Sequence, residues 1–185
     1  MDRVNMDAQE QQTLQRAQQM ETKALVEIFD QFSPELYRYA LRRTGFPQVA
    51  EDCVSETFTR FLRTIGRPGQ HIKTNIRAYL YRTAHNWLVD QHRKEPTPPE
   101  ELEEAFIADR QPTPEQQTML NDQAEHMRIA LQQLPPAQQQ VIALRYLEDW
   151  SLQECAETMG KSVGAIKALQ NRAMKNLQKL LANQE

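Results

Sequence analysis

The chain has 185 residues, a formal net charge of −3, 39% hydrophobic residues and 25% charged ones. That length allows one or two small domains, and the slightly acidic balance excludes a protein that grips nucleic acid with its whole surface, so any such contact is local. No apolar run reaches the ~18 residues of a membrane span, the N-terminus lacks the apolar core of a secretory signal, and alternating β-branched runs are scarce. The expected class is all-α, in a reduced, cytoplasmic compartment.

Residues 1–20 are polar and glutamine-rich, and the expectation is a mobile tail or a loosely formed helical extension. From Glu21 the pattern becomes regular. Leu25, Ile28, Phe29 and Phe32 make one helical stripe. Ser33-Pro34 reads as a cap and a first-turn proline that restart the helix, and Leu36, Tyr37, Ala40 and Leu41 carry the stripe to Gly45. Pro47 opens the next helix. Its stripe is Ala50, Cys53, Val54, Thr57, Phe58, Phe61, Leu62 and Ile65, and its other face carries Glu51, Asp52, Ser55, Glu56 and Arg60. Carboxylates on an exposed helix face suit a charged docking surface better than an acid–base pair. Gly66 to about Lys73 is a loop.

Thr74 is placed to cap a helix whose stripe is Ile76, Tyr79, Leu80, Thr83, Trp87 and Leu88. Between these lie Arg77, Tyr81, Arg82, His85, Asn86 and His92. Positive charge, amides and aromatic rings on one element suit phosphates together with stacked or extruded bases. The plainer alternative is an amphipathic helix with core aromatics and solvated arginines. Tyr79 and Trp87 fall in the stripe and are assigned to the core. Tyr81 falls outside it and is the better base-contact candidate.

Residues 95–113 are rich in proline and acidic side chains, the composition of an extended linker, interrupted by Leu102, Phe106 and Ile107. Thr113-Pro114 restarts helix, with a stripe of Leu120, Ala124, Met127, Leu131 and Leu134. Pro135-Pro136 breaks it, and Ala137, Val141, Leu144 and Leu147 form another. Ser151 with Glu154 makes a capping box, Leu152, Cys155, Ala156 and Met159 repeat at helical spacing, and Gly160 stops that helix. Ser162 caps the last one, whose stripe is Val163, Ile166, Leu169, Ala173, Leu177 and Leu180. No acidic residue occurs from Lys161 to Lys179. A short helix, a tight turn and a longer helix with one apolar stripe and one positive face is the pattern of a helix-turn-helix. The alternative is an ordinary helical hairpin. The organisation expected is an extension (1–20), a helical domain (21–94), an acidic proline-rich linker (95–113) and a helix-turn-helix domain (114–185).

Cys53 and Cys155 read as core hydrophobes rather than a disulfide pair. His85 and His92 lack a third ligand at metal spacing, no phosphate-binding loop or nucleophile motif occurs, and neither a cofactor nor a catalytic role is expected.

The residues so described resemble the small, two-domain extracytoplasmic-function (ECF) type of bacterial RNA polymerase sigma factor. The first domain carries the resemblance in FDQFSPELYRYALRRTGFPQVAEDCVSETFTRFLR and NIRAYLYRTAHNWLVDQHRK, the second in LPPAQQQVIALRYLEDWSLQECAETMGKSVGAIKALQNRAMKNL. It implies that Glu51, Asp52, Glu56 and Phe58 dock on the polymerase. The segment from about His71 to Lys94 would recognise and melt the −10 element through Arg77, Tyr81, Arg82 and Asn86, with a base flipped into a pocket of the loop before Ile76. Lys161, Ser162, Lys167, Asn171, Arg172 and Lys175 would read the −35 element. Core RNA polymerase and promoter DNA are the implied partners, and an anti-sigma factor is a further one in many members. Relatives often carry arginine where Leu169 and Met174 stand. A stand-alone helix-turn-helix regulator, or a helical adaptor that binds protein, remains an alternative to this reading.

Overall fold

The computed structural model describes residues 2–67, 69, 72, 75–94, 124 and 126–182, and every regular element among them is helical. The linker, Thr74, the helix restart at Thr113, Leu120, the side chain of His92 and most of the loop before Ile76 lie outside the described residues.

α1 (Asp2–Gln18) is a regular helix rather than a loose tail. Its glutamines and alanines are strong helix formers. It buries Leu14 and Ala17, and it packs against α2 (Thr22–Thr44). Arg16 fastens the junction with a two-pronged bond to Glu21 (2.8 and 2.6 Å) and a third contact to Glu27 (3.3 Å).

α2 does not restart at Ser33-Pro34. It runs straight through, with Pro34 inside it. Ala24, Ile28, Phe32, Leu36, Tyr39 and Ala40 keep one helical phase across the proline, so tertiary burial outweighs the lost N–H bond. α2 ends on Gly45, which takes the left-handed conformation (φ 78°) and returns its N–H to Leu41 (2.8 Å). The guanidinium of Arg128 lies against this glycine, close enough that an added Cβ would stand 2.8 Å from its Nη1.

α3 (Pro47–Ile65) and α4 (Ile76–Lys94) complete the first helical group. Asn75 supplies the cap of α4 by accepting the N–H of Ala78 (2.6 Å). The second group contains a helical stretch α5 (126–133), then α6 (Pro136–Ile142), which continues into a π-helical turn (Ala143–Leu147). α7 (Leu152–Met159) and α8 (Val163–Ala182) form the helix-turn-helix. α8 packs on both α6 and α7.

The two groups do not stand apart. α4 packs on α7 and α2 packs on the π-helical turn, so one continuous buried core runs through both.

Candidate nucleic-acid interface

The helix-turn-helix is built as the sequence implies. Ser151 accepts the N–H of Glu154 (3.2 Å) while the Glu154 carboxylate accepts the N–H of Ser151 (2.7 Å). Gly160 makes the turn in the left-handed region (φ 62°), and Ser162 accepts the N–H of Ala165 (3.2 Å) to start α8. Ile166, Ala173 and Leu177 are buried on α8, and Leu169 and Met174 are partly buried against the same core. Leu169 and Met174 therefore complete the packing face, where an arginine would have to reach past neighbours to solvent. Gln170 bonds Tyr146 (2.7 Å) and Asn176 bonds Gln138 (2.9 Å), which fixes the rotation of α8. That rotation leaves Lys161, Ser162, Lys167, Asn171, Arg172 and Lys175 exposed together. None of the four cations is paired with an acid among the described residues. One turn-joined helix thus presents a face of free positive charge and amides, which suits phosphates and base edges in a major groove.

α4 is built differently. Its expected stripe is buried at Ile76, Leu80, Trp87 and Leu88, while Tyr79 is half-buried, with its hydroxyl bonded to Thr64 (2.7 Å). A second stripe is buried as well: Ala78, Tyr81, Ala84 and His85. Tyr81, the side chain expected to face bases, is wholly buried. It lies between Tyr39 (ring centroids 5.1 Å) and Trp150 (4.7 Å) and donates its hydroxyl to Glu148 (3.1 Å). Burial raises its pKa, so it stays a donor. The cause of the difference is that Tyr39 of α2 and Trp150 of the second domain together cover the side of α4 that a single-helix reading leaves open. Arg77 is half-buried, bonded to Glu35 (3.1 Å), with its guanidinium 5.0 Å over the Trp150 ring. Its backbone N–H goes to Glu10 of α1 (3.3 Å). Arg82 is half-buried and Asn86 exposed.

Polar contacts surround the aromatic pair. Arg42 pairs with Glu148 (2.9 Å) and donates to the carbonyl of Leu147 (2.7 Å). Arg43 donates to Gln139 (2.6 Å), and Arg128 to the carbonyl of Thr44 while stacking 5.6 Å over Phe46. Asp149 adopts a left-handed backbone (φ 53°), which reverses the chain between Glu148 and Trp150 and turns both toward α4. Burial pushes the carboxyl of Glu148 above its usual range, against the pull of Arg42.

The acidic face of α3 is open at Glu51 and Asp52, and Glu56 is half-exposed beside Arg60 (2.8 Å). Phe58 is not part of that face. It is buried in the core, 4.8 Å from Phe29, and Phe29 is the exposed apolar side chain of the pair at 47%. Phe29 falls within the predicted stripe of α2 yet stays exposed beside Phe58.

No other chemistry converges. Among the described residues no three His, Cys, Asp or Glu side chains group as metal ligands. His85 is pushed down to about 2 by burial and by Arg43, whose Nη1 donates to its Nδ1 (2.7 Å), so it is a neutral core acceptor. Cys53 and Cys155 are free and buried, pushed up to about 12 and about 11 by that burial. No described helix is long and apolar enough to cross a membrane.

A helical core carrying a capped helix-turn-helix and a basic reading helix defines a DNA-binding protein of two domains. The chain matches the families described as Sigma-70 region 2, over residues 28–96, and Sigma-70, region 4, over residues 130–179. It is 38% identical over 173 residues to the ECF RNA polymerase sigma factor BldN of Streptomyces coelicolor, covering 91% of this chain and 64% of that protein. It is 30% identical over 168 residues to the ECF RNA polymerase sigma factor SigD of Mycobacterium tuberculosis, covering 83% and 75% respectively. Among solved structures, CnrH in complex with the cytosolic domain of CnrY shares the fold, with a TM-score of 0.65 at 21% identity over 95% of this chain and 99% of that one. The chain belongs to the ECF RNA polymerase sigma factors, a family of non-enzymatic transcription initiation factors.

Proposed function

We propose that this chain is a promoter-specificity subunit that works in the cytoplasm by docking on core RNA polymerase and placing two DNA-reading helices at fixed spacing. The observation that carries the reading is α8 with the turn before it: six exposed polar or basic side chains, no acid, and a cap at Ser162 that starts the helix. α8 reads the −35 element through Lys161, Ser162, Lys167, Asn171, Arg172 and Lys175. α4 reads the −10 element through Arg77, Tyr81, Arg82 and Asn86 and helps to melt it, in a conformation in which the second domain has moved off it. Polymerase docking falls to Glu51, Asp52 and Glu56, with Phe29 as the apolar contact and Phe58 as its support from beneath. Two weak contacts held at fixed distance act as one tight contact through effective concentration, which suits a chain with little net positive charge. An anti-sigma protein is a fitting second partner, since the sigma factor RpoE of Bartonella quintana, which is similar in fold, is seen in complex with the anti-sigma factor NepR.

The test is transcription from host genomic DNA with purified core polymerase. The expected result is initiation at a discrete set of promoters only when the chain is added. Initiation that ignores the chain would sink the proposal.

A further inference from the structure

Tyr146 stands in the π-helical turn Ala143–Leu147 with about half its surface open to solvent. Its neighbours turn inward: Leu144 is buried, and Arg145 donates to the carbonyl of Trp150. The turn closes with the N–H of Glu148 on the carbonyl of Ala143 (3.1 Å), a span of five residues where an α-helix uses four. Such turns are frequent at functional sites. The ring is exposed, yet it is held. Gln170 of α8 donates its amide N–H to the Tyr146 hydroxyl oxygen (2.7 Å). The hydroxyl keeps its own proton for a second partner, and no acceptor among the described residues takes it. Gln170 lies three residues beyond Lys167 and directly before Asn171 and Arg172. At about 100° per residue, that is about 60° round α8 from Lys167. The hydroxyl is thus tied beside the exposed basic face of α8, at its edge.

A helix lying in a major groove runs between two sugar–phosphate backbones, so its exposed face meets base edges and its flanks meet phosphates. We propose that Tyr146 is a further contact to the −35 duplex: oriented by Gln170, it donates its hydroxyl to one backbone phosphate at the flank of α8 and so fixes how that helix sits in the groove. The inference rests on the sigma-factor reading above. The contact carries no base information, because every phosphate presents the same oxygens. It also brings no positive charge, because its donor is a phenol. In this it differs from Lys167, Arg172 and Lys175, whose contacts with phosphate would release counterions. Their charge draws a duplex in from many angles. A single directed hydrogen bond on a tethered ring selects one.

The test uses holoenzyme assembled from core polymerase and the full chain, as wild type, Y146F, Q170A and Y146F/Q170A, with a duplex carrying one of the promoters that the transcription experiment identifies. Y146F keeps the ring and removes only the hydroxyl, and circular dichroism checks that the helices are intact. The expected result is binding weakened about three- to tenfold in Y146F, by the same factor on duplexes with altered −35 bases, and with an unchanged slope of affinity against salt. Q170A should weaken binding less, and it should add little to Y146F, because it acts through the hydroxyl. Single neutral methylphosphonates are then placed in turn along the backbone flanking the −35 element. At one position the gap between wild type and Y146F should close. A bond that only fixed the rotation of α8 would show no such position. Y146F that binds as wild type does, a loss confined to one −35 sequence, or a gap that no methylphosphonate closes would overturn the contact. The two readings fail differently: a bound wild type with an unmoved Y146F refutes only the contact, whereas wild-type holoenzyme that ignores the duplex refutes the sigma-factor reading and the contact with it.

Discussion

α4 and α8 invite comparison, because they are of nearly equal length, 19 and 20 residues, and each is assigned one DNA element. α8 buries one stripe and turns the rest to solvent. α4 buries two stripes, and the second is shared between the first domain, where Tyr39 and Arg43 meet Tyr81 and His85, and the second domain, where Trp150 and Glu148 meet Tyr81. The difference lies in composition at matching positions. Around its core stripe α8 has lysines, glutamines and asparagines. Around its own, α4 has Ala78, Tyr81 and Ala84, small or aromatic groups that a neighbouring helix can cover. α4 thus has a second packing face that a neighbour covers, whereas α8 has only one.

The comparison breaks most severely at Tyr81. Removing a wholly buried tyrosine in Y81A should cost about 3–5 kcal/mol, seen as a fall in Tm. It should also split two properties: the free chain expands and binds core more tightly, while promoter opening by holoenzyme, followed by permanganate reactivity of unpaired thymines, falls by about an order of magnitude or more. An equal loss of both would show that Tyr81 serves packing alone. The next effect belongs to α8. R172E/K175E should weaken holoenzyme binding to promoter duplex by ~10–100-fold and flatten its salt dependence, while the radius of gyration of the free chain stays unchanged. A change in compactness would mean that the α8 face touches the first domain in solution.

Smaller effects sharpen the contrast. S151A removes half of a reciprocal cap and should cost about 1 kcal/mol, with faster hydrogen exchange concentrated in α7 and little change in α3. The smallest concerns pH. Glu148 is raised by burial where the two domains pack together, so that packing takes up protons. Its contribution to the packing is complete below the ordinary carboxyl range and is lost as pH rises through the raised value. Arg42, Arg77, Glu35 and Tyr81 face the same carboxyl; burial keeps the tyrosine neutral throughout the window, and His85 is already neutral there. The packing, read by scattering, should therefore tighten slightly between pH 7 and pH 5, and E148Q should abolish that slope.

Much of this was legible in the sequence. Ser151, Glu154, Gly160 and Ser162 mark the helix-turn-helix because capping and left-handed turns depend on residues within a few positions. The six exposed side chains of α8 follow from the same local periodicity. Reading failed where distant segments decide. Pro34 looks like a helix start by local rules, but a stripe held by other helices carries α2 through it. Phe58 and Phe29 both lie in apolar stripes, and periodicity within each helix does not say which ring the packing of α2 on α3 covers. The burial of Tyr81 was the sharpest departure. The run Ala78, Tyr81, Ala84 and His85 is a second stripe at helical spacing, a legible sign that α4 packs on two sides, yet nothing local says that the partner lies some 70 residues downstream. For residues 1–20 a helical extension was among the expectations, but its docking was not, since Leu14 and Ala17 are too sparse to announce a packed helix.

Gly45 has a consequence for how such proteins diverge. Its left-handed backbone ends α2, and its missing side chain seats the guanidinium of Arg128 from the second domain. An alanine there strains the turn and displaces a flexible arginine from Thr44 and Phe46, so the damage appears at the joint between domains more than in the helix that carries it. Drift at these two positions is therefore coupled. Among relatives that keep this joint, glycine at the first site and arginine at the second should be inherited together, and lineages that lose one should be free to lose the other.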